Sequence, residues 1–135
     1  MNKLQNTICW VAQAVAALIL GQTLFFKFSG AQESVAIFEA LGAEPWGRIG
    51  SGIMELFAVI LLLSPRFSVY GGILTLMAMT GAIGAHLTKL GIEVDGDGGT
   101  LFAMALVTFT AGVIVTVCRR KQLPFLKRSS RAPLA

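Results

Sequence analysis

Glu55 is the residue whose position most strongly suggests chemistry, because it is a carboxylate inside an otherwise apolar run. It lies in SGIMELFAVILLLSP, residues 51–65, and no residue within four positions of it is basic. A lone charged carboxylate at the centre of a bilayer costs roughly 2.5–3.5 kcal/mol on insertion scales. The sequence therefore predicts that a donor from another part of the fold reaches Glu55.

Three residues are candidate donors to Glu55: Lys27, His86 and Gln22. Lysine can extend its stem inward from a membrane interface, and a neutral imidazole offers one ring N–H. With Lys27 as its partner Glu55 would be ionised, whereas with only His86 or Gln22 it would be protonated. The candidate intramembrane polar site consists of Lys27, Glu55 and His86, with Gln22 and Arg48 as secondary members.

Two interpretations of this candidate polar site stay open. Ionisable residues inside a membrane commonly mark a functional site, but a Glu–Lys or Glu–His contact can also simply hold helices in register. His86 is the only histidine, so haem would lack the second axial histidine that many haem sites use. DGDGG resembles the start of a calcium loop, but counting from Asp95 the twelfth position is Leu106 instead of a glutamate. We predict a solvated turn there and no metal site.

The composition indicates an integral membrane protein. The chain has 135 residues, of which 55% are apolar and only 13% are charged, whereas a soluble domain has about 25% charged residues. Six of the eleven basic residues follow the last apolar run, at positions 119–131. Basic residues next to a span favour anionic lipid, so the net charge of +4 does not indicate nucleic-acid binding.

The apolar runs predict an all-α, integral membrane four-helix bundle. The bundle occupies residues 1–121, followed by a basic, disordered cytoplasmic tail at 122–135. Its spans are predicted at about 7–27, 47–64, 67–88 and 100–118. In the first loop Val35, Phe38 and Leu41 recur at helical spacing while Glu33 and Glu39 fall elsewhere, which predicts a short interfacial amphipathic helix.

The distribution of basic residues predicts the orientation. With both termini on one side, that side carries eight basic residues and the other carries three, together with six of the seven acids. The positive-inside rule then places both termini in the cytoplasm and the first loop in the periplasm. Cys9 and Cys118 would lie near the cytoplasmic face, where thiols stay reduced, which argues against a disulfide-exchange enzyme. The first run has twenty uncharged residues, longer than a signal-peptide core of about 7–15, so we expect it to remain uncleaved.

Several motifs, in their order and spacing, resemble the DoxX-like family of small four-helix membrane proteins over roughly residues 10–120. They are FKFSG, ESVAIFEALGAEPWGR, GIMELFAVILLLSPR, YGGILTLMAMTGAIGAHLTKLGIE and GDGG. The resemblance implies that Lys27, Glu55 and His86 correspond to recurrent polar residues of that family. Arg48, Pro65 and Gly84 fit its pattern as well.

The resemblance implies a bacterial inner-membrane protein more clearly than it implies a reaction. The founding member is linked to a membrane thiosulfate:quinone oxidoreductase as a small subunit. We therefore expect a non-enzymatic component that binds a partner membrane subunit, a second copy of itself or a lipophilic ligand such as a quinone. The alternative is a small oligomeric transporter or proton-coupled carrier using Glu55, which would need to dimerise because no inverted repeat is visible.

Overall fold

The computed structural model describes residues 2–94 and 96–124, and within them it contains five α-helices and no strand. The helices are α1 (Lys3–Phe28), α2 (Gln32–Ala40), α3 (Trp46–Leu62), α4 (Ser68–Ala85) and α5 (Thr100–Cys118). The all-α prediction is confirmed for this part of the chain. Most of the predicted basic tail, residues 125–135, lies outside the described residues.

The longest helix, α1, begins at a capping box. The Gln5 amide donates to Asn2 Oδ1 at 2.8 Å, and the Asn2 amide donates to Gln5 Oε1 at 3.3 Å. These two bonds satisfy backbone donors that have no partner inside the helix. The buried positions of α1 recur every three or four residues, so one stripe of the helix faces the interior: Cys9, Ala12, Gln13, Ala16, Ala17, Leu20 and Leu24.

The four long helices pack around a shared core in the cyclic order α1, α3, α4, α5. Leu20, Leu62 and Val115 are fully buried there, one each from α1, α3 and α5. The short turn after α3, which contains Pro65, makes α3 and α4 neighbours. We call the end of the helices that contains this turn the Pro65 end, and the opposite end the Lys27 end.

Glycines allow the close approaches of α4 to its two neighbours. A methyl carbon added at Gly71 would lie 2.5 Å from the backbone nitrogen of Leu62 on α3. One added at Gly72 would lie 2.7 Å from the Thr116 hydroxyl on α5. Small residues at such contacts are typical of helices that associate within a membrane.

Polar side chains tie the helices together at the Pro65 end. Gln13 is fully buried, and its amide nitrogen donates to the Leu62 carbonyl at 2.6 Å. Arg119 Nε donates to Gln13 Oε1 at 3.0 Å. Gln122, the first residue of the predicted tail, accepts from the Val69 amide at 2.9 Å and donates to the Pro65 carbonyl at 2.9 Å. The contacts of the helical domain therefore extend through Gln122.

At the Lys27 end, α4 widens into a π-helical segment, His86–Leu90. Gly91 ends it with a φ of 79°, a conformation that favours glycine. π-Helical turns are rare and occur frequently at functional sites. The segment begins at His86, a residue of the candidate polar site.

Three described helices are long and apolar enough to cross a membrane: Lys3–Phe28, Ser68–Leu90 and Thr100–Cys118. The predicted second span coincides with α3, which has 17 residues. At ~1.5 Å per residue it covers about 25 Å, somewhat less than a bilayer core of about 30 Å. Its N-terminal residue, Trp46, is 72% exposed, which suits an aromatic at a membrane interface. The predicted amphipathic helix in the first loop coincides with α2.

Candidate functional site

An ion pair between α1 and α3 is the centre of the candidate site. Lys27 Nζ lies 2.6 Å from Glu55 Oε1, and the Glu55 residue is 3% exposed. The Lys27 side chain is 15% exposed and that of Glu55 is 4% exposed, so the pair is more accessible from the lysine than from the carboxylate. Glu55 occupies the buried stripe of α3 together with Gly52, Ala58 and Leu62. The carboxylate therefore faces the interior.

Two hydroxyl groups complete the surroundings of the pair. Lys27 Nζ also donates to Ser51 Oγ at 3.1 Å. Thr23 Oγ1 lies 3.2 Å from Glu55 Oε2 and 2.8 Å from the Leu20 carbonyl oxygen. A hydroxyl has one proton, so Thr23 can donate to only one of these acceptors at a time. Lysine has three ammonium protons, and the hydrogen bonds in the described part of the chain use two of them.

Aromatic side chains enclose the pair at the Lys27 end. The Phe38 ring of α2 has its centroid 5.5 Å from Lys27 Nζ, within the range of a cation–π contact. Phe28 packs on Gly52, because a methyl carbon added at that glycine would lie 2.9 Å from the ring. The short helix α2 therefore covers the amine, and Gly52 makes room for the last aromatic of α1.

Arg48 connects the start of α3 to the end of α1 without contacting Glu55. Its Nε lies 2.9 and 3.0 Å from the two carboxylate oxygens of Glu44. Its Nη1 donates to the backbone carbonyl of Lys27. A cation near the last carbonyls of a helix interacts favourably with the helix dipole. Arg48 thus holds the backbone of Lys27, whereas Glu55 holds its side chain.

His86 lies apart from the ion pair. Its ring packs against Phe102 of α5 with a centroid distance of 5.5 Å, and its Nδ1 lies 2.8 Å from the Ala82 carbonyl oxygen. A carbonyl only accepts, so in a neutral ring the proton belongs on Nδ1 and Nε2 is an acceptor. Nε2 is buried and has no hydrogen-bond partner among the described residues. Within residues 2–94 and 96–124, no hydrogen bond or ion pair joins His86 to Lys27 or Glu55.

Gln22, the other secondary candidate, is exposed on α1. Thr23, its neighbour in sequence, occupies the position beside Glu55 instead. Sequence reasoning missed Thr23 and Ser51, although each lies one helical turn before a residue that it identified. A search at i−4 from Lys27 and from Glu55 would have found both.

The acidic loop before α5 serves as a helix cap. Asp97 Oδ1 accepts from the amides of Val94 and Gly99 at 3.1 and 2.8 Å, and Oδ2 accepts from the Leu101 amide at 3.0 Å. These three backbone donors lower the pKa of Asp97 below 3.8. Among the described residues no group of three or more His, Cys, Asp or Glu side chains is arranged to hold a metal. Asp97 directs its oxygens to the first turn of α5.

Comparison with known proteins identifies no relative, because no family model, no curated protein and no solved structure matches the chain. The resemblance to the DoxX-like family rests on the motifs alone.

Proposed function

We propose that the chain is a DoxX-like protein that crosses the bacterial inner membrane four times, with both termini in the cytoplasm. The distribution of side chains supports this placement. Large apolar side chains cover the outside, including Leu18 at 75% exposure and Phe25 at 69%. Gln13, Thr75 and Thr108, in contrast, are fully buried. A surface more apolar than parts of its interior suits a hydrocarbon environment.

In this orientation α1, α3, α4 and α5 form a transmembrane four-helix bundle. The Lys27 end faces the periplasm, and α2 lies at that interface. The 17 residues of α3 suffice because Trp46 lies at the headgroup level and local bilayer thinning accommodates a short helix. The ion pair then lies in the outer leaflet, with Glu55 about two and a half turns below Trp46 along α3.

Within this bundle the proposed role is that of a non-enzymatic membrane component that binds a lipophilic ligand or a partner membrane subunit. The proposal rests on the buried Lys27–Glu55 pair, in which the Lys27 side chain remains 15% exposed. Its third proton can bond a ligand oxygen, such as the carbonyl oxygen of a quinone. At most the protein would be the membrane subunit of a quinone-linked oxidoreductase, and any redox cofactor would belong to its partner.

The test is to purify the full-length protein in lipid nanodiscs and analyse the bound organic compounds and the co-purifying proteins. We expect a reproducible compound or partner, reduced at least about tenfold in Lys27→Met, roughly the loss of one hydrogen bond to a charged group. Lys89→Met is the matched control because Lys89 is exposed near the same end. The double variant Lys27→Met/Glu55→Gln has no unpaired buried carboxylate and should therefore stay folded. Loss of the compound or partner in this variant reflects lost binding and not lost folding. Consistent absence of both ligand and partner from the wild type would contradict the proposal.

A second candidate is an oligomeric, proton-coupled carrier that uses Glu55. It is favoured by the burial of that carboxylate beside a hydroxyl that can donate to either of two acceptors. Glu55→Gln should then abolish proton-coupled uptake in proteoliposomes. Glu33→Gln, a change at an exposed glutamate of α2, should leave uptake intact. Unchanged flux in Glu55→Gln across a broad solute panel would exclude the carrier.

A further inference from the structure

An open groove of about 510 Å³ runs between the first and the last long helix, and we call it the α1–α5 groove. Its lining extends along α1 from Thr7 to Val15 and along α5 from Leu106 to Ile114. At ~1.5 Å per residue each wall is about 12 Å long, whereas a bilayer core is about 30 Å thick. The groove begins one helical turn from the first residue of α1. Its length therefore matches the depth of one leaflet and not that of the whole bilayer.

The α1–α5 groove offers only hydrocarbon to an occupant. Ala12 and Ala111 are buried at its floor, and no charged residue lines it. Its polar side chains are Thr7 and Thr110, and their hydroxyls donate to backbone carbonyls four residues earlier in the same helix, at 2.8 and 2.9 Å. A hydroxyl has one proton, so neither threonine has a donor left for a ligand. The part of a ligand that enters the groove is therefore a hydrocarbon chain.

Basic residues without acidic partners lie beyond the groove at the Pro65 end. Lys3 precedes Thr7 by one turn on α1, and Lys121 follows Ile114 by two turns in the helical 3₁₀ extension of α5. Both lysines are exposed. The sequence has no acidic residue at positions 1–32, 56–92 or 98–135. The ion pairs of the described residues accordingly both lie at the Lys27 end. The two amines are thus available to an anionic group.

We propose that the α1–α5 groove binds an acyl chain of an anionic phospholipid of the cytoplasmic leaflet, with the lipid phosphate at Lys3 and Lys121. This inference rests on the membrane placement proposed above and not on a ligand at the ion pair. The hydrocarbon lining and the one-leaflet length fit an acyl chain, and the unneutralised amines fit the charge of its headgroup. A spanning helix of a second copy would instead pack along both leaflets.

The lipid would hold the first helix against the last one. A ligand that binds the folded protein and not the unfolded chain raises the stability of the fold. The chain in the groove contacts α1 and α5 together, so it is bound only while these two helices are packed. Anionic lipid should therefore raise the melting temperature of the bundle, independently of the Lys27–Glu55 pair.

The test is to titrate the delipidated full-length protein in a neutral detergent with dioleoyl phosphatidylglycerol, and separately with dioleoyl phosphatidylcholine. Native mass spectrometry counts the bound lipid, and a thermal melt measures its effect. We expect one phosphatidylglycerol at saturation, bound at least about tenfold more tightly than phosphatidylcholine, and a raised melting temperature. Lys3→Gln/Lys121→Gln should weaken phosphatidylglycerol binding at least about tenfold. Lys89→Gln, a change at an exposed lysine near the opposite end, should not.

A second set of variants tests the groove itself. Val107→Trp fills it from α5, and Val11→Trp fills it from α1, at positions exposed on the surface. Each should abolish saturable binding of phosphatidylglycerol. Val113→Trp is the matched control, because Val113 is an exposed valine of α5 outside the lining. Melting temperatures without lipid establish which variants are folded, and one folded groove variant is sufficient.

Equal affinity for the two lipids, or phosphatidylglycerol binding that survives the lysine or the groove variants, would overturn the proposal. A wild-type dimer that Val107→Trp dissociates would also overturn it, because the groove would then hold a second copy. Failure here leaves the compound or partner of the ion pair unaffected. Conversely, phosphatidylglycerol bound as expected without any such compound or partner would contradict only the role proposed for Lys27 and Glu55.

Discussion

Lys27 Nζ on α1 and Glu55 Oε1 on α3 are 2.6 Å apart and form the buried ion pair of this fold. Burying a carboxylate is unfavourable unless a partner compensates the lost solvation. Here the compensating partner is the side chain of Lys27, in the last turn of α1. Arg48 in turn donates to the backbone carbonyl of Lys27. The pair therefore helps to fix the position of α1 relative to α3.

The two halves of the pair should respond differently to replacement by leucine. Lys27→Leu leaves Glu55 buried without a cation, and stranding a charge in this way typically costs about 3–5 kcal/mol. Glu55→Leu leaves a lysine that is partly exposed and can extend towards water. The melting temperature of Lys27→Leu in one detergent should be clearly lower than that of Glu55→Leu. Equal melting temperatures would show that the two side chains do not interact.

The approach of α4 to α3 should be sensitive to a single methyl group. Gly71→Ala would place a carbon 2.5 Å from the Leu62 backbone nitrogen, and backbone cannot move aside cheaply. We expect a loss of about 1–3 kcal/mol of stability, as for an overpacked core. Gly81→Ala on the same helix is the control, because nothing lies within 4 Å of an added carbon there. If both variants unfold at the same denaturant concentration, the close contact is not real.

Gln13 should matter for stability although it lies far from the ion pair. Gln13→Leu removes the donor to the Leu62 carbonyl and the acceptor for Arg119, which costs about 1–3 kcal/mol when the remaining groups stay buried. Gln22→Leu makes the same chemical change at an exposed position of α1 and should stay within ~0.5 kcal/mol of the wild type. Chemical denaturation of both variants provides the comparison. A larger loss for Gln22→Leu would contradict the burial of Gln13.

The Asp97 cap should make the start of α5 sensitive to acid. Its pKa is lower in the folded protein than the ordinary value of 3.8, because three backbone amides stabilise the carboxylate. A lowered folded pKa adds stability above the unfolded value, and this stability disappears as the pH falls from there through the folded pKa. Asp97→Asn should therefore reduce the loss of melting temperature between about pH 5 and pH 2.

The matched control for that titration is Glu93→Gln, because Glu93 is an exposed acid of the same loop. Its titration curve should follow that of the wild type. Hydrogen exchange at the first amides of α5 would locate the effect. An Asp97→Asn variant as sensitive to acid as the wild type would rule out the cap as its origin.

The sequence could predict the end of the fold at which the site lies, but not which side chains meet. Lys27 and Glu55 belong to consecutive long helices of opposite direction, so the topology alone places both near one end. His86 shares that end for the same reason, yet its ring turns towards Phe102 on α5. The rotation of each helix depends on packing between helices, and no pattern within one helix determines it.

Two neighbouring residues of α1 show how strongly the rotation of a helix decides which side chain reaches Glu55. Successive residues of an α-helix differ by about 100° around its axis. That rotation leaves Gln22 exposed and brings Thr23 to Glu55. The apolar runs, in contrast, predicted the positions of the four long helices, because hydrophobicity is a property of each segment alone.

A double-mutant cycle on Lys27→Met and Glu55→Gln most directly tests whether these residues form a buried pair. The free energy of unfolding would be measured for the wild type, both single variants and the double variant under one set of detergent conditions. We expect a favourable coupling energy of about 1–3 kcal/mol, with the double variant more stable than Lys27→Met alone. Additive effects, with a coupling energy below about 0.3 kcal/mol, would contradict it.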